Sequence, residues 1–195
     1  MKKVILFCLI GAFVMTSTVV SAQEKAPLGK GNFAVKLDYI AFTDDHFDEG
    51  GNQDDGLYIG LEGYGEISPN WYLGGEIGNA INIDLGGGED IDFVPIEVNV
   101  KYAKETARNL VVDFGAGLSY SYVELQDLPL FSIFGDRGEK RDDWLFGGQV
   151  FADLTYKIGF FSIGVNGKYQ ITEDFKDEGV DLSNYRLGVQ LGFVF

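Results

Sequence analysis

The stretch YRLGVQLGFVF, residues 185–195, alternates strictly. Tyr185, Leu187, Val189, Leu191, Phe193 and Phe195 are apolar, while Arg186, Gly188, Gln190 and Gly192 between them are small or polar, Val194 being the exception. A two-residue period marks a β-strand rather than a helix, because successive side chains of a strand point to opposite faces. The stretch closes on Phe195 without a polar tail. Chain ends ordinarily fray toward water, so an aromatic last residue in an alternating strand points to an apolar face that meets some other solvent.

Seven further segments repeat the pattern, at 32–42, 57–67, 71–83, 92–103, 109–122, 144–157 and 161–171. Each is long enough for a tilted membrane-spanning strand of about 9–11 residues. Ser68-Pro69-Asn70, the link KETAR (104–108) and a tight turn near Ile158-Gly159 make short connections. Those at 43–56, 84–91, 123–143 and 172–184 are mostly long and acidic. Short turns alternating with long loops is the pattern of an outer-membrane barrel, with the turns and both termini on the periplasmic side. Pro95 is a candidate bulge, since proline cannot donate to a ladder.

The other end of the chain gives the compartment. MKKVILFCLIGAFVMTSTVVSAQEKA places two lysines before an apolar run and the small residues Val20-Ser21-Ala22 after it. This is a secretory signal peptide over 1–22, cleaved after Ala22, and its apolar run is too short to span a bilayer. The only cysteine, Cys8, leaves with it. Residues 23–195 are then a single domain without disulfide or thiol chemistry. The chain's formal net charge of −15 repels phosphate backbones and excludes nucleic acid. An aromatic content of 14% is out of keeping with an acidic disordered chain.

Which parity faces outward separates a membrane barrel from a soluble lipocalin-like carrier, which keeps its apolar residues inside. Apart from Asp92 at the very start of the fourth, the apolar parities of all eight segments hold no Asp, Glu, Lys or Arg. Hydrocarbon demands this, since a charge facing lipid costs roughly 2–4 kcal/mol near the midplane for Arg or Lys. The opposite parity holds Lys36, Asp38, Glu62, Glu66, Glu76, Glu97, Lys101, Asp113, Asp153, Lys157, Lys168 and Arg186 along its length, with many glycines. Those glycines suit a narrow interior that must admit Tyr58, Tyr64, Tyr72 and Phe151. Aromatics gather near strand ends: Trp71, Tyr102, Tyr156, Phe161 and Phe195 at one rim, and Tyr120, Tyr122, Trp144 and Phe146 at the other. Such girdles mark the headgroup depth. The expected fold is an all-β, eight-stranded, antiparallel, up-and-down transmembrane β-barrel in the outer membrane of a Gram-negative bacterium.

Residues 23–195 resemble the small eight-stranded outer-membrane family that includes OmpX, Ail and the OmpA membrane domain. The resemblance is one of architecture and of the C-terminal motif. It implies that Leu191, Phe193 and Phe195 form the signal read by the barrel-assembly machinery. It does not imply one activity, because members of the family do different things.

Two readings share the interior charges: a paired network that plugs the lumen, or a narrow, porin-like ion path in which partners exchange. Catalysis is not expected. The single histidine, His46, sits among acids in TDDHFDEGGNQDD, and Ser132 lies in a different loop. A charged lumen offers no slot for an acyl chain, which counts against a lipid A-modifying enzyme. The acidic loops fit no EF-hand spacing, so no metal or other cofactor is assigned, although Ca²⁺ suits their chemistry. In the third loop, Leu130, Phe131, Ile133 and Phe134 form an apolar run in a segment expected outside the cell, a candidate interaction surface. The expected role is an envelope or surface-adhesion protein acting through its loops, with a narrow channel as the alternative. Its expected partners are outer-membrane lipids, lipopolysaccharide and the assembly machinery. The loops leave open an extracellular ligand or host surface, and a monomer is expected.

Overall fold

The computed structural model describes residues 26–43, 55–81, 89–127, 140–173 and 181–195. Residues 1–22, the expected signal peptide, and His46, Ser132 and the run Leu130, Phe131, Ile133 and Phe134 lie outside the described residues.

The described elements are eight strands: β1 (Gly31–Phe42), β2 (Asp55–Ser68), β3 (Trp71–Ile81), β4 (Glu89–Ala107), β5 (Leu110–Asp127), β6 (Lys140–Ile158), β7 (Phe161–Thr172) and β8 (Asn184–Val194). Each pairs antiparallel with its sequence neighbours, and β1 pairs with β8 to close the barrel. Closure leaves no unpaired sheet edge along the span, which a lipid environment requires. Beyond the ladder, Gly31 and Phe195 exchange two backbone hydrogen bonds of 3.0 Å.

The turn end is built from two-residue connections at Pro69-Asn70, Arg108-Asn109 and Gly159-Phe160. Each contains one residue with positive φ, at Asn70, Asn109 and Gly159. Asn and Gly tolerate that conformation best. A register shift accompanies the first two turns, between Glu66 and Ser68 and between Glu105 and Ala107. Most of the expected KETAR link is therefore strand. Pro95 makes no bulge. It lies opposite Ser121 in an unbroken β4–β5 register, while the β3–β4 ladder lapses beside it and resumes unshifted from Ile77–Ile96 to Ala80–Phe93. A missing N–H omits a bond without inserting a residue.

At the loop end the wall is uneven. β4, β5 and β6 have 19, 18 and 19 residues, against 11 to 14 in the other strands. Residues 123–127 and 140–143, expected in a loop, extend this hairpin.

The apolar parity faces outward. Leu187, Leu191 and Phe195 are 61–65% exposed, and Val35, Leu73, Phe114, Val150 and Ile163 share this surface. A lipocalin has the opposite arrangement. The interior is layered. Ile40, Phe42, Tyr58, Ala80, Phe93, Val123, Leu145 and Leu182 close the loop end, and Leu28, Tyr64, Tyr72, Ala103, Val111 and Phe151 close the turn end. Charge is thus confined to the middle of the bore rather than spread along it.

Leu28 precedes β1 and is tucked under the barrel. Its N–H donates to Tyr72 Oη at 3.1 Å, and Tyr72 Oη donates to the Gly29 carbonyl at 3.0 Å. Gly29 has φ +68°, and a Cβ there would collide with the Phe195 carbonyl.

Candidate functional site: the charged lumen

Strand register explains how the charges meet. Glu62, Glu76 and Glu97 lie side by side across β2, β3 and β4. Lys168 and Arg186 lie side by side across β7 and β8. Within each row the neighbours repel. Across the bore the two rows attract.

Lys168 Nζ donates to Glu76 Oε2 at 2.7 Å and to Glu97 Oε2. Arg186 spans the same two carboxylates, donating to Glu76 Oε1 at 3.2 Å and, more closely, to Glu97 Oε1. Arg186 Nη2 also donates to Gln170 Oε1 at 3.0 Å, while its Nε finds no acceptor among the described residues. Tyr58 Oη adds a 2.7 Å hydrogen bond to Glu76 Oε1, and the Arg186 guanidinium lies 4.3 Å from the Tyr58 ring centroid. These charges are withdrawn from water, so each depends on its partners for stabilisation.

Toward the turn end, Lys36 Nζ lies 2.8 Å from Glu62 Oε2 and 3.3 Å from Glu76 Oε2. Lys101 Nζ sits 4.0 Å from the centroid of the Tyr64 ring, 3.5 Å from Asp113 Oδ1 and 3.9 Å from both Glu62 and Asp153. Asp38 accepts a 2.9 Å hydrogen bond from Asn166. An amide cluster fills part of the remaining space, with Gln149 donating to Asn99 Oδ1 at 2.7 Å and Asn99 donating to Glu97 at 3.1 Å.

Two residues grouped with these by parity lie apart. Glu66 is only half-buried near the turn end. Lys157 pairs there with Glu105 at 2.8 Å and donates to the Pro27 carbonyl at 2.6 Å. Parity gives the face of a residue, whereas height decides whether it reaches the bore. Sequence reasoning placed the rings of Tyr58, Tyr64 and Phe151 inside without assigning them to the charges, and it missed the amides of Asn99, Gln149, Asn166 and Gln170. All share the parity of the charges, which was the available signal.

Leu191, Phe193 and Phe195 lie on the outer face, where Phe193 is 5.1 Å from the Phe161 ring and stacks on Phe160 at 6.3 Å. Trp71, Tyr102 and Phe114 continue this rim. At the other rim Tyr120 stacks on Trp144 at 4.7 Å. No group of three or more His, Cys, Asp or Glu side chains among the described residues is placed to hold a metal ion.

No family model and no curated protein matches the chain. Solved structures do. Neisserial surface protein A superposes with a TM-score of 0.68 at 12% identity, covering 86% of this chain and 98% of that one. The N-terminal β-barrel domain of Pseudomonas aeruginosa OprF gives 0.57 at 11%, covering 86% and 98%. Ail, the attachment invasion locus protein of Yersinia pestis, gives 0.53 at 14%, covering 85% and 99%. At such identities the likeness is one of fold. The chain has the fold of the small eight-stranded outer-membrane barrels.

Proposed function

We propose that this chain is a non-enzymatic protein of the bacterial outer membrane, a plugged barrel that anchors a one-sided extracellular surface for adhesion or other contact. Residues 1–22 are its export signal, and the short turns and both termini face the periplasm. The observation that carries this reading is the filled bore. Lys168 and Arg186 cross it to Glu76 and Glu97, and apolar side chains close it above and below. An open ion path needs a continuous wetted route with weak, sequential contacts, whereas these cations are each held by two or more groups.

The tall β4–β6 wall supports a contact role, because its strands rise past the other described strands at the barrel mouth. The fold of Ail, named for attachment and invasion, is compatible with such a role. In this reading the outward rings at the two rims sit among lipid and lipopolysaccharide headgroups, and Leu191, Phe193 and Phe195 are read by the assembly machinery.

Conductance of the detergent-folded barrel in a planar bilayer tests the reading, after a gel-mobility change on boiling has shown that it is folded. The expected result is a silent bilayer. Steady, discrete openings would replace the anchor with a channel and make the interior charges its selectivity determinants.

A further inference from the structure

The turn end of the barrel is not uniform around its circumference. Trp71, Tyr102, Phe114, Phe160, Phe161 and Phe193 line its outer face with rings. The Pro69-Asn70 and Gly159-Phe160 turns carry no charge, whereas the Arg108-Asn109 turn is basic. Lys104 stands on the outer face of β4, one outward step beyond Tyr102 toward the turn, and Arg108 lies in the turn itself. Both are exposed. The acid between them is committed elsewhere, since Glu105 takes Lys157 Nζ at 2.8 Å and the Asn109 N–H at 2.9 Å. Among the described residues no carboxylate forms an ion pair with Lys104 or Arg108.

An apolar groove leaves this turn. Leu110, the first residue of β5, shares a cross-strand row with Tyr156 and Ile163. The next row runs from Lys104 through Val112, Leu154 and Val165 to Val189. Along these two rows lies a groove of about 240 Å³, lined by Leu110, Leu154, Tyr156, Ile163, Val165 and Val189. Rows of cross-strand neighbours climb the wall of a tilted barrel. This groove starts at Leu110, beside the turn, and reaches Val189 in the middle of β8. It therefore joins a cationic patch at headgroup depth to the hydrocarbon zone.

The two parts together select an occupant. A soluble anion would use the cations and leave the groove empty. A zwitterionic lipid would fill the groove and leave the cations without a net counter-charge. An acylated molecule with a net negative head satisfies both. The chain's formal net charge of −15 repels anions elsewhere, so the attraction is confined to this turn.

We propose that the Arg108-Asn109 turn and its groove bind one anionic glycerophospholipid of the leaflet facing the periplasm. Its phosphate meets Lys104 and Arg108, and one acyl chain lies along Leu110, Leu154, Ile163, Val165 and Val189. This site rests on the orientation proposed above for the turns and owes nothing to the plugged bore.

Native mass spectrometry of the detergent-folded barrel tests the proposal, with phosphatidylglycerol as the probe and phosphatidylcholine of the same chains as the control. The expected spectrum shows one phosphatidylglycerol retained per barrel at concentrations that leave phosphatidylcholine unbound. Lys104→Gln combined with Arg108→Gln should weaken that retention about tenfold or more. Leu154→Trp, which fills the groove, should weaken it as well, while Ile77→Trp on the opposite wall leaves it unchanged. Should Leu154→Trp fail to fold, Val165→Trp occupies the same groove. Equal retention of the two lipids overturns the proposal, as does unchanged retention in the double cation variant or in the groove variant. Tighter retention of lipid A than of phosphatidylglycerol overturns the assignment to the periplasmic leaflet. Binding in detergent is read without reference to either side of a membrane. Its failure leaves the anchor role standing, and a conducting bilayer leaves the lipid site standing.

Discussion

The glutamate row and the aspartate pair present the same problem and differ in its solution. Glu62, Glu76 and Glu97 sit beside one another across three strands, as Asp113 and Asp153 do across two. Like charges in neighbouring cross-strand positions are destabilising wherever they occur. Glu76 and Glu97 face Lys168 and Arg186 on the opposite wall, and direct hydrogen bonds close the gap. The aspartates face no such row and have only distant ammonium groups. Like charges along one wall of a narrow barrel are tolerated where the far wall supplies their counterpart. Where it does not, the carboxyls keep only the looser contacts of Lys101 and Lys36.

Arg186→Ala breaks the comparison most severely. It removes one cation shared by Glu76 and Glu97 and leaves buried carboxylates short of donors, so the unfolding free energy in urea should fall by about 3–5 kcal/mol. An unchanged midpoint with an unchanged slope would show that the cross-bore pairing contributes nothing. Asp153→Asn sharpens the contrast, since it removes a carboxyl that no donor reaches. Its stability at neutral pH should stay within about 1 kcal/mol of the parent. A loss as large as that of Arg186→Ala would make the two regions equivalent. Lys157→Ala provides the reference for a partly exposed pair at the rim. Its contact with Glu105 is short, but solvent screens it, and the expected loss is about 0.5 kcal/mol in the same titration.

Strands and their faces were legible because both are local properties. Alternation over residues 185–195, or over 71–83, identifies a strand and its lipid-facing side without knowledge of any other segment. The inward-facing charges were legible for the same reason, although parity could not tell that Glu66 and Lys157 sit too near the turn end to join the others. Their partners were not, because the residues that meet at one height depend on the stagger of the whole closed sheet. Lys168 and Glu97 are 71 positions apart, and no local pattern links them. The apolar caps escaped notice because Ile40, Phe42, Phe93 and Leu145 lie on the parity otherwise given to charge. Leu28 escaped because it precedes the first strand and belongs to no period. Pro95 was misread in the other direction, as the ladder lapses over two pairs beside it and leaves the register intact.

The placement of the two charged rows also constrains the order of events during folding. Glu76 and Glu97 belong to β3 and β4, and Lys168 and Arg186, which bridge them, belong to β7 and β8, while Lys36 of β1 answers Glu62. A nascent barrel holding only its early hairpins would leave Glu97 without the counterparts that Lys168 and Arg186 supply, and the later hairpins alone would leave those two cations without Glu76 and Glu97. Neither half can leave water cheaply. The contacts that neutralise them, like the β1–β8 seam, join distant parts of the chain and are slow to form unaided. Insertion and closure are therefore committed to happen together: the lumen becomes tolerable to a bilayer only at the moment its first and last strands find each other.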